Sequence, residues 1–267
     1  MSRVLVTGGS MGIGLAAAQA LARRGHELVL VARGEAELER ACASLTGGRH
    51  RWHAFDVSDA RGWDAVTLQE LGGLVCAAAV VEPVGAVGEY EPAAFRRTLE
   101  INVCGTLFAV DHCLAALRAG SGSVVTFSGG GATSPLPRYD AYAASKAAVV
   151  RLSENLALAL APLKVNCVAP GFVATRMHDA TLAAGPERAG EAYYERTRRS
   201  LREGGVPAAE AAELVCALLE GVPFSGKLIS AQWDPWRDSE FRRRLAGDDA
   251  LGTLRRIDGM LFAEVRR

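Results

Sequence analysis

The sequence predicts an α/β fold of the doubly wound, Rossmann type: a seven-stranded parallel sheet with helices on both faces, followed by a C-terminal tail extension. Two observations predict it. Apolar, β-branched runs alternate with stretches of helical period up to about Ser230, the pattern of a parallel sheet buried on both faces. The first run also passes through a glycine-rich turn straight into a helical stretch, the entry to a βαβ unit. Seven runs read as strands, over residues 3–7, 27–32, 51–55, 74–78, 124–127, 165–168 and 227–231. Helices are predicted over 13–24, 35–44, 93–118, 141–161 and 208–219, where apolar residues recur at three- and four-residue spacing. Right-handed crossovers turn this order into a doubly wound sheet.

Two regions break the rhythm. Residues 172–206 form a long polar insertion, and such a loop in a compact domain is usually functional, so a substrate lid is expected there. Residues 232–267 open with Trp233-Asp234-Pro235-Trp236 and carry enough leucine and phenylalanine for one or two amphipathic helices. They are expected to pack on the same domain, which spans 1–231, or on a neighbouring subunit. Trp233, Trp236 and Phe241 read as packing anchors.

A chain of 267 residues with 49% hydrophobic residues is enough for one large core. Lysine plus arginine number 30 and aspartate plus glutamate 30, so there is no net field to gather phosphate backbones, and nucleic acid is not an expected partner. No signal-peptide pattern and no uncharged apolar stretch of membrane-spanning length is expected in the sequence. No membrane partner is expected, and the expected location is the cytoplasm. Six dispersed cysteines without a C-x-x-C pair, and five histidines without ligand spacing, argue for reduced core thiols and against a metal site.

Gly8-Gly9-Ser10-Met11-Gly12-Ile13-Gly14 follows the first strand. Glycines there let the backbone approach a pyrophosphate, and the N–H groups and dipole of the following helix favour its charge. The cofactor contacts expected in this turn are Gly8, Ser10, Met11, Gly12, Ile13 and Gly14. At the tip of the second strand a dinucleotide-binding chain places the group that reads the adenosine ribose, a carboxylate for a 2′-hydroxyl or an arginine for a 2′-phosphate. Here the tip is Ala32-Arg33; NADP(H) is therefore favoured, with NAD(H) the alternative. Asp56-Val57, after the third strand, is a candidate adenine contact, although Asp56 before Ser58 and Asp59 also fits a helix cap.

Tyr142 and Lys146 stand four residues apart in a helical segment, so both project from one face. Two charges about 4 Å apart interact by roughly 4 kcal/mol at an effective dielectric near 20. An ammonium at that distance is expected to bring a phenol down from about 10 by two or three units, into the range of proton exchange at neutral pH. Tyr142 would then pass a proton to a carbonyl oxygen in reduction and take it back in oxidation.

In this company the chain resembles the short-chain dehydrogenase/reductase family, in its one-domain branch, from about Arg3 to Ala231. Thr7-Gly8-x-x-x-Gly12-Ile13-Gly14 matches the family's cofactor loop, Asp56-Val57 its adenine contact, and Tyr142-Ala143-Ala144-Ser145-Lys146 its active-site helix. Asn102 in Ile101-Asn102-Val103-x-Gly105 matches its catalytic asparagine, and Pro170-Gly171-Phe172-Val173-Ala174-Thr175 its nicotinamide segment. The resemblance implies an NAD(P)(H)-dependent oxidoreductase. It would transfer hydride between nicotinamide and a carbonyl or secondary alcohol of a small, polar metabolite. It also implies that Lys146 grips the nicotinamide ribose, that Asn102 kinks its helix to hold a water in the proton path, that Val173 and Thr175 position the nicotinamide, and that the chain forms a homodimer or homotetramer.

Departures from the family pattern are specific. Gly129 stands at the usual spacing of the catalytic serine, so that role is assigned to Ser128, with Thr133 or Ser134 as substitutes. Cys76-Ala77-Ala78-Ala79 replaces a run the family fills with asparagines and glycine, and the small Ala77 and Ala78 still admit the cofactor. The stretch 59–73 is short, which implies a trimmed third helix. These departures keep two alternatives open: a catalytically weak or inactive nucleotide-binding protein on the same scaffold, or an epimerase or dehydratase with bound nucleotide.

Overall fold

In the computed structural model, which describes residues 2–255, the apolar runs form strands β1 (Arg3–Thr7), β2 (Glu27–Ala32), β3 (Arg51–Ala54), β4 (Gly73–Cys76), β5 (Ser123–Phe127), β6 (Lys164–Ala169) and β7 (Leu228–Ser230). All neighbours pair in parallel, in the order β3-β2-β1-β4-β5-β6-β7. The direction of growth reverses between β1 and β4, and a crevice opens there at the carboxyl ends of the strands.

Alternation along each strand sorts the core into two layers. Val4, Val6, Leu28 and Leu30 face α1 (Gly12–Arg23), α2 (Glu35–Ala43) and α8 (Ala208–Glu220). Leu5, Val29, Val31 and Leu74 face the other way, onto α4 (Gly105–Ala119) and the end of α5 (Asp140–Ala159). The run Pro92–Ala119 has the length and hydropathy of a membrane-crossing helix, a match the sequence reading passed over. Its Ala109, Val110, Cys113, Ala116 and Leu117 nevertheless pack in this second layer, as in the core helix of a globular domain.

Several expectations are corrected. The single helix predicted over 93–118 is two, α3 (Pro92–Leu99) and α4, joined by a π-helical turn at Glu100–Cys104. Residues 172–206 are not an irregular loop: they form a 3₁₀ turn at Arg176–His178, then α6 (Asp179–Ala189) and α7 (Glu191–Arg202). α6 kinks at Gly185, where φ is 72°, because Pro186 has no N–H for the helix ladder. The fourth strand ends at Cys76 rather than at 78. Ala77 and Ala78 instead bend toward β1 and donate to Thr7, through its carbonyl (3.2 Å) and its Oγ1 (3.3 Å). Between β3 and β4 lies only a 3₁₀ turn, Gly62–Ala65, as the short spacing implies; Trp63 anchors it by donating to the Val57 carbonyl at 3.0 Å.

The described part of the tail packs on the same domain, through α9 (Ser239–Gly247); residues 256–267 lie outside the described residues. Buried Lys227 donates from Nζ to the carbonyls of Asp248 (2.7 Å) and Leu251 (2.9 Å), which ties the tail to the edge of β7. Trp236 is buried in the first core layer, donates to the Ala231 carbonyl at 3.2 Å and carries the Arg237 guanidinium over its ring at 3.9 Å. Truncation of so large a buried side chain costs about 3–5 kcal/mol. Trp236→Ala is therefore expected to lower the urea midpoint sharply, and a midpoint unchanged from the parent would show that the tail is not part of the cooperative unit.

Candidate active site

A cavity of about 1940 Å³ lies at the crevice and joins the glycine turn, the tip of β2, the end of β5, α5 and the lid. On its nucleotide side, a Cβ on Gly14 would stand 2.2 Å from the Gly8 carbonyl oxygen. Only glycine lets α1 start this close to the turn. α1 begins after Met11 with no side-chain cap, which leaves its first N–H groups free for an anion. Gly12 faces the Thr175 methyl, 3.3 Å from where a Cβ would lie, so the root of the lid closes over the turn. Gly8, Ser10, Met11, Gly12, Ile13, Ala77, Ala78, Val173 and Thr175 all line the cavity. This is a cradle of backbone and small side chains that fits a dinucleotide.

Arg33 lines the cavity at the tip of β2 and is exposed. The structure adds a residue that the sequence reading missed. Glu37, in the first turn of α2, lies over Gly34 and lines the same wall, while its Oε1 accepts from Arg40 at 3.1 Å. Its spacing of four from Arg33 was the available signal. Asp56 and Val57 also line the cavity. The Asp56 carboxylate accepts from the Ser58 N–H (3.0 Å) and hydroxyl (2.7 Å) and is paired with Arg97. Its carboxyl is held below its ordinary value: burial works against this, and the Ser58 hydrogen bonds and the Arg97 charge outweigh it.

On the chemical side, Tyr142 and Lys146 occupy successive turns of α5, both buried. Lys146 Nζ donates to the Phe127 carbonyl at 3.0 Å and lies 5.7 Å from the centre of the Tyr142 ring. The expected electrostatics are corrected here. Burial pushes the Tyr142 phenol up from its ordinary value, with the Tyr193 phenol adding to the shift, and burial pushes Lys146 down to about 8. The physical reason is desolvation, which disfavours the charged form of both groups. The ammonium also donates to a backbone carbonyl and makes no hydrogen bond to the phenol oxygen among the described residues.

Gly129 is where the structure constrains Tyr142 most tightly: a Cβ there would stand 2.2 Å from the phenol oxygen and 3.2 Å from Lys146 Cγ. The hydroxyl of Tyr142 uses the space that a side chain at 129 would fill. Ser128, one residue earlier, is buried at the end of β5, lines the cavity, and donates its backbone N–H to the Val168 carbonyl at 2.9 Å. Its hydroxyl has no hydrogen-bond partner among the described residues. Ser134 also lines the cavity.

Asn102 sits in the π turn, 1% exposed, and its side chain does not line the cavity. Its Oδ1 accepts from the Val80 N–H (2.8 Å), and Nδ2 donates to the Val80 carbonyl (2.9 Å) and to Ser145 Oγ (2.9 Å). Ser145 Oγ in turn donates to the Tyr142 carbonyl at 2.7 Å. Asn102 thus fastens the chain after β4 to the active-site helix. The carbonyl of Asn102 accepts from Thr106 Oγ1 at 2.8 Å.

Residues of α6 and α7 line the remaining wall. Tyr139 donates to Thr181 Oγ1 at 3.0 Å, the Tyr193 ring lies 4.8 Å from that of Tyr139, and His178 stacks on Phe172 at 4.0 Å. Trp233, expected as a packing anchor, is 78% exposed at the edge of the cavity. The turn that presents it is fixed by Ser230, which donates its N–H to Asp234 (2.7 Å) and accepts from the Trp233 N–H (3.0 Å).

With this geometry in view, the family profile described as short chain dehydrogenase matches residues 2–184. The chain is similar to dehydrogenase/reductase SDR family member 2, mitochondrial, of Homo sapiens, 33% identical over 181 residues; the match covers 64% of this chain and 65% of that protein, just under two thirds of the relative's length. It is also similar to a benzil reductase ((S)-benzoin forming) of Saccharomyces cerevisiae, 29% identical over 244 residues, 83% of this chain and 92% of that protein. Among solved structures, an actinorhodin polyketide ketoreductase with NADPH is 27% identical with a TM-score of 0.76, covering 86% of this chain and 95% of that one. Structures of this fold carry NADPH in one case and NAD+ in another.

Two outcomes follow from the packing around Tyr142. Gly129→Ala is expected to displace the phenol; misplacement by about 1 Å costs on the order of a hundredfold in turnover, with the circular dichroism of the fold retained. Parental turnover in a folded Gly129→Ala protein would contradict the close approach. Between pH 8 and 10.5 the unfolded chain holds a proton on Lys146 that the native state has released, so this group makes stability rise with pH across that window. Wild type is therefore expected to gain unfolding free energy relative to Lys146→Met as pH rises from about 8 to 10; a difference that stays flat or shrinks would contradict it.

Proposed function

The chain belongs to the short chain dehydrogenase family, and from that premise we propose that it is an NADP(H)-dependent oxidoreductase acting on a carbonyl or secondary alcohol of a small, polar metabolite. One observation carries the reading: the Tyr142 hydroxyl, the Lys146 ammonium and the Ser128 hydroxyl share a single cavity with an uncapped helix start and a glycine cradle shaped for a dinucleotide. The dinucleotide supplies or accepts the hydride. The glycine turn and the start of α1 would hold its pyrophosphate, Arg33 would read a 2′-phosphate, and Val173 and Thr175 would border the nicotinamide.

The protein's own groups handle the proton. Tyr142 stays a phenol in the buried site, so in reduction it has a proton on Oη to give to the substrate oxygen, and in oxidation it takes that proton back. Ser128, with its hydroxyl free, donates a second hydrogen bond to the same oxygen. Lys146, anchored at the Phe127 carbonyl with Nζ 5.7 Å from the centre of the Tyr142 ring, supplies a positive charge near the phenolate that remains once the proton has left. Asn102 and Ser145 act as positioning residues for the helix that carries both groups.

The free thiols in the described chain, with Cys76, Cys113, Cys167 and Cys216 buried, support a reducing compartment such as the cytoplasm. Leu107 on α4 and Leu158 on α5 are exposed, which supports a homodimer or homotetramer through these helices. Gly129 motivates a second reading, a nucleotide-binding protein without turnover.

One experiment separates the two readings. Tyr142→Phe is expected to lower kcat by about a hundred- to ten-thousand-fold on a panel of ketones and secondary alcohols, with NADPH affinity held within a few-fold. Arg33→Ala is expected to raise the KM for NADPH about tenfold or more and leave that for NADH nearly unchanged. NADPH binding without turnover in the parent would favour the second reading, and an unaffected NADPH KM in Arg33→Ala would move the cofactor assignment to Glu37 and NAD(H).

A further inference from the structure

α7 contributes to the wall of the cavity with an inverted pattern. A helix laid over a core ordinarily turns its apolar stripe inward. On α7 the cavity is lined by Tyr193, Arg196 and Ser200, at spacings of three and four, and by Glu203 just past the last turn. The inward stripe is polar. Apolar packing of the helix is confined to its first turn, where Tyr193 and Tyr194 join Tyr139 and Tyr142.

The lid is rich in arginine: Arg176, Arg196, Arg199 and Arg202 have no ion pair among the described residues, and of these Arg176 and Arg196 line the cavity, Arg196 on the same helix as Tyr193. Arg198 pairs with Glu195 at 3.0 Å, and Arg188 donates to the Glu89 carbonyl at 3.0 Å. Arg196 has no acid three or four residues away; Ala192, Tyr193, Arg199 and Ser200 occupy those positions. Among the described residues its guanidinium has no ion pair, and it lines the cavity. Tyr139 gives its hydroxyl to Thr181, whereas the Tyr193 hydroxyl has no hydrogen-bond partner among the described residues.

The spacing places both groups near the chemistry. Three residues of helix rise about 4.5 Å, so Arg196 stands one turn from Tyr193, which packs in the same cluster as Tyr142. Glu203 lies seven residues further on, about 10 Å along the helix. Asp179 opens α6 beside His178. A planar guanidinium with a phenol beside it matches the two oxygens of a carboxylate.

We propose that Arg196 and Tyr193 form a carboxylate subsite on the lid, so that the preferred substrates are oxo acids, or the corresponding hydroxy acids, with the carboxylate a few bonds from the reacting carbon. This rests on the hydride-transfer reading above. In the reduction direction the carbonyl carbon gains hydride from NADPH, its oxygen gains the Tyr142 proton, and the carboxylate stays intact in the Arg196 fork.

The test measures kcat/KM with NADPH for pyruvate, acetoacetate and levulinate, which move the carboxylate stepwise away from the ketone, and for the methyl ester of each. Wild type is expected to favour at least one acid over its ester by about tenfold or more. Arg196→Gln is expected to cut that acid-to-ester ratio by about ten- to a hundredfold and Tyr193→Phe by less, while Arg198→Gln, on the same helix but paired with Glu195, leaves it within about twofold. A ratio unchanged in Arg196→Gln, or reduced equally in Arg198→Gln, would overturn the subsite. Calorimetric titration of the NADPH complex with the same acids keeps the two readings distinguishable. Binding that depends on Arg196 without turnover upholds the subsite and removes the oxidoreductase reading; wild type that binds none of the acids overturns the subsite.

Discussion

Two ionisable side chains are taken out of water together on one face of α5, and the rest of the site is arranged around that burial. A phenol in such a place keeps its proton and an ammonium loosens its own; Tyr142 and Lys146 are displaced in these opposite directions. The protein thus holds a protonated acid beside a cation with a weakened grip on its charge. Space for this comes from a residue without a side chain, since Gly129 is what the Tyr142 oxygen rests against.

Backbone geometry does much of the positioning. The π turn at Glu100–Cys104 interrupts what would otherwise be one long helix and sets Asn102 where its amide can clasp Val80 and Ser145. Ser145 then reaches the carbonyl of Tyr142, so the loop after β4 is tied to the helix bearing the phenol. Loss of this clasp would leave buried amide and hydroxyl groups unpaired, the costly case for polar groups away from water. The glycine turn makes a comparable demand on the other side of the crevice, where α1 can begin so close to Gly8 only because residue 14 lacks a Cβ.

Much of this was legible in the sequence, for reasons that differ by element. Strand order followed from apolar runs interrupted by helical period, and the four-residue spacing of Tyr142 and Lys146 is a property of any helix. The direction of the Tyr142 shift was not legible, because it turns on burial and on Lys146 spending its proton on Phe127, neither of which is written in spacing. The π turn is not written in the residues themselves, which have ordinary helical character; only the resemblance, through the kink it implies at Asn102, pointed to it. The lid helices were hidden by their polarity, since α7 turns charged and hydroxyl groups toward a cavity and not apolar ones toward a core. Trp233 was misread as an anchor beside Trp236, which is one; the turn from Ser230 to Asp234 points the two rings to different places.

Burial, and not the neighbouring cation, governs the phenol of Tyr142 before a nucleotide arrives. The most direct test of this is an NMR titration of Tyr142 labelled with ¹³C at Cζ, first in the free protein and then with NADP+ added. In the free protein this carbon is expected still to read as a phenol above the ordinary tyrosine value of about 10, and NADP+ is expected to move the transition down. A Tyr142 that titrates at or below the ordinary value in the free protein would contradict it.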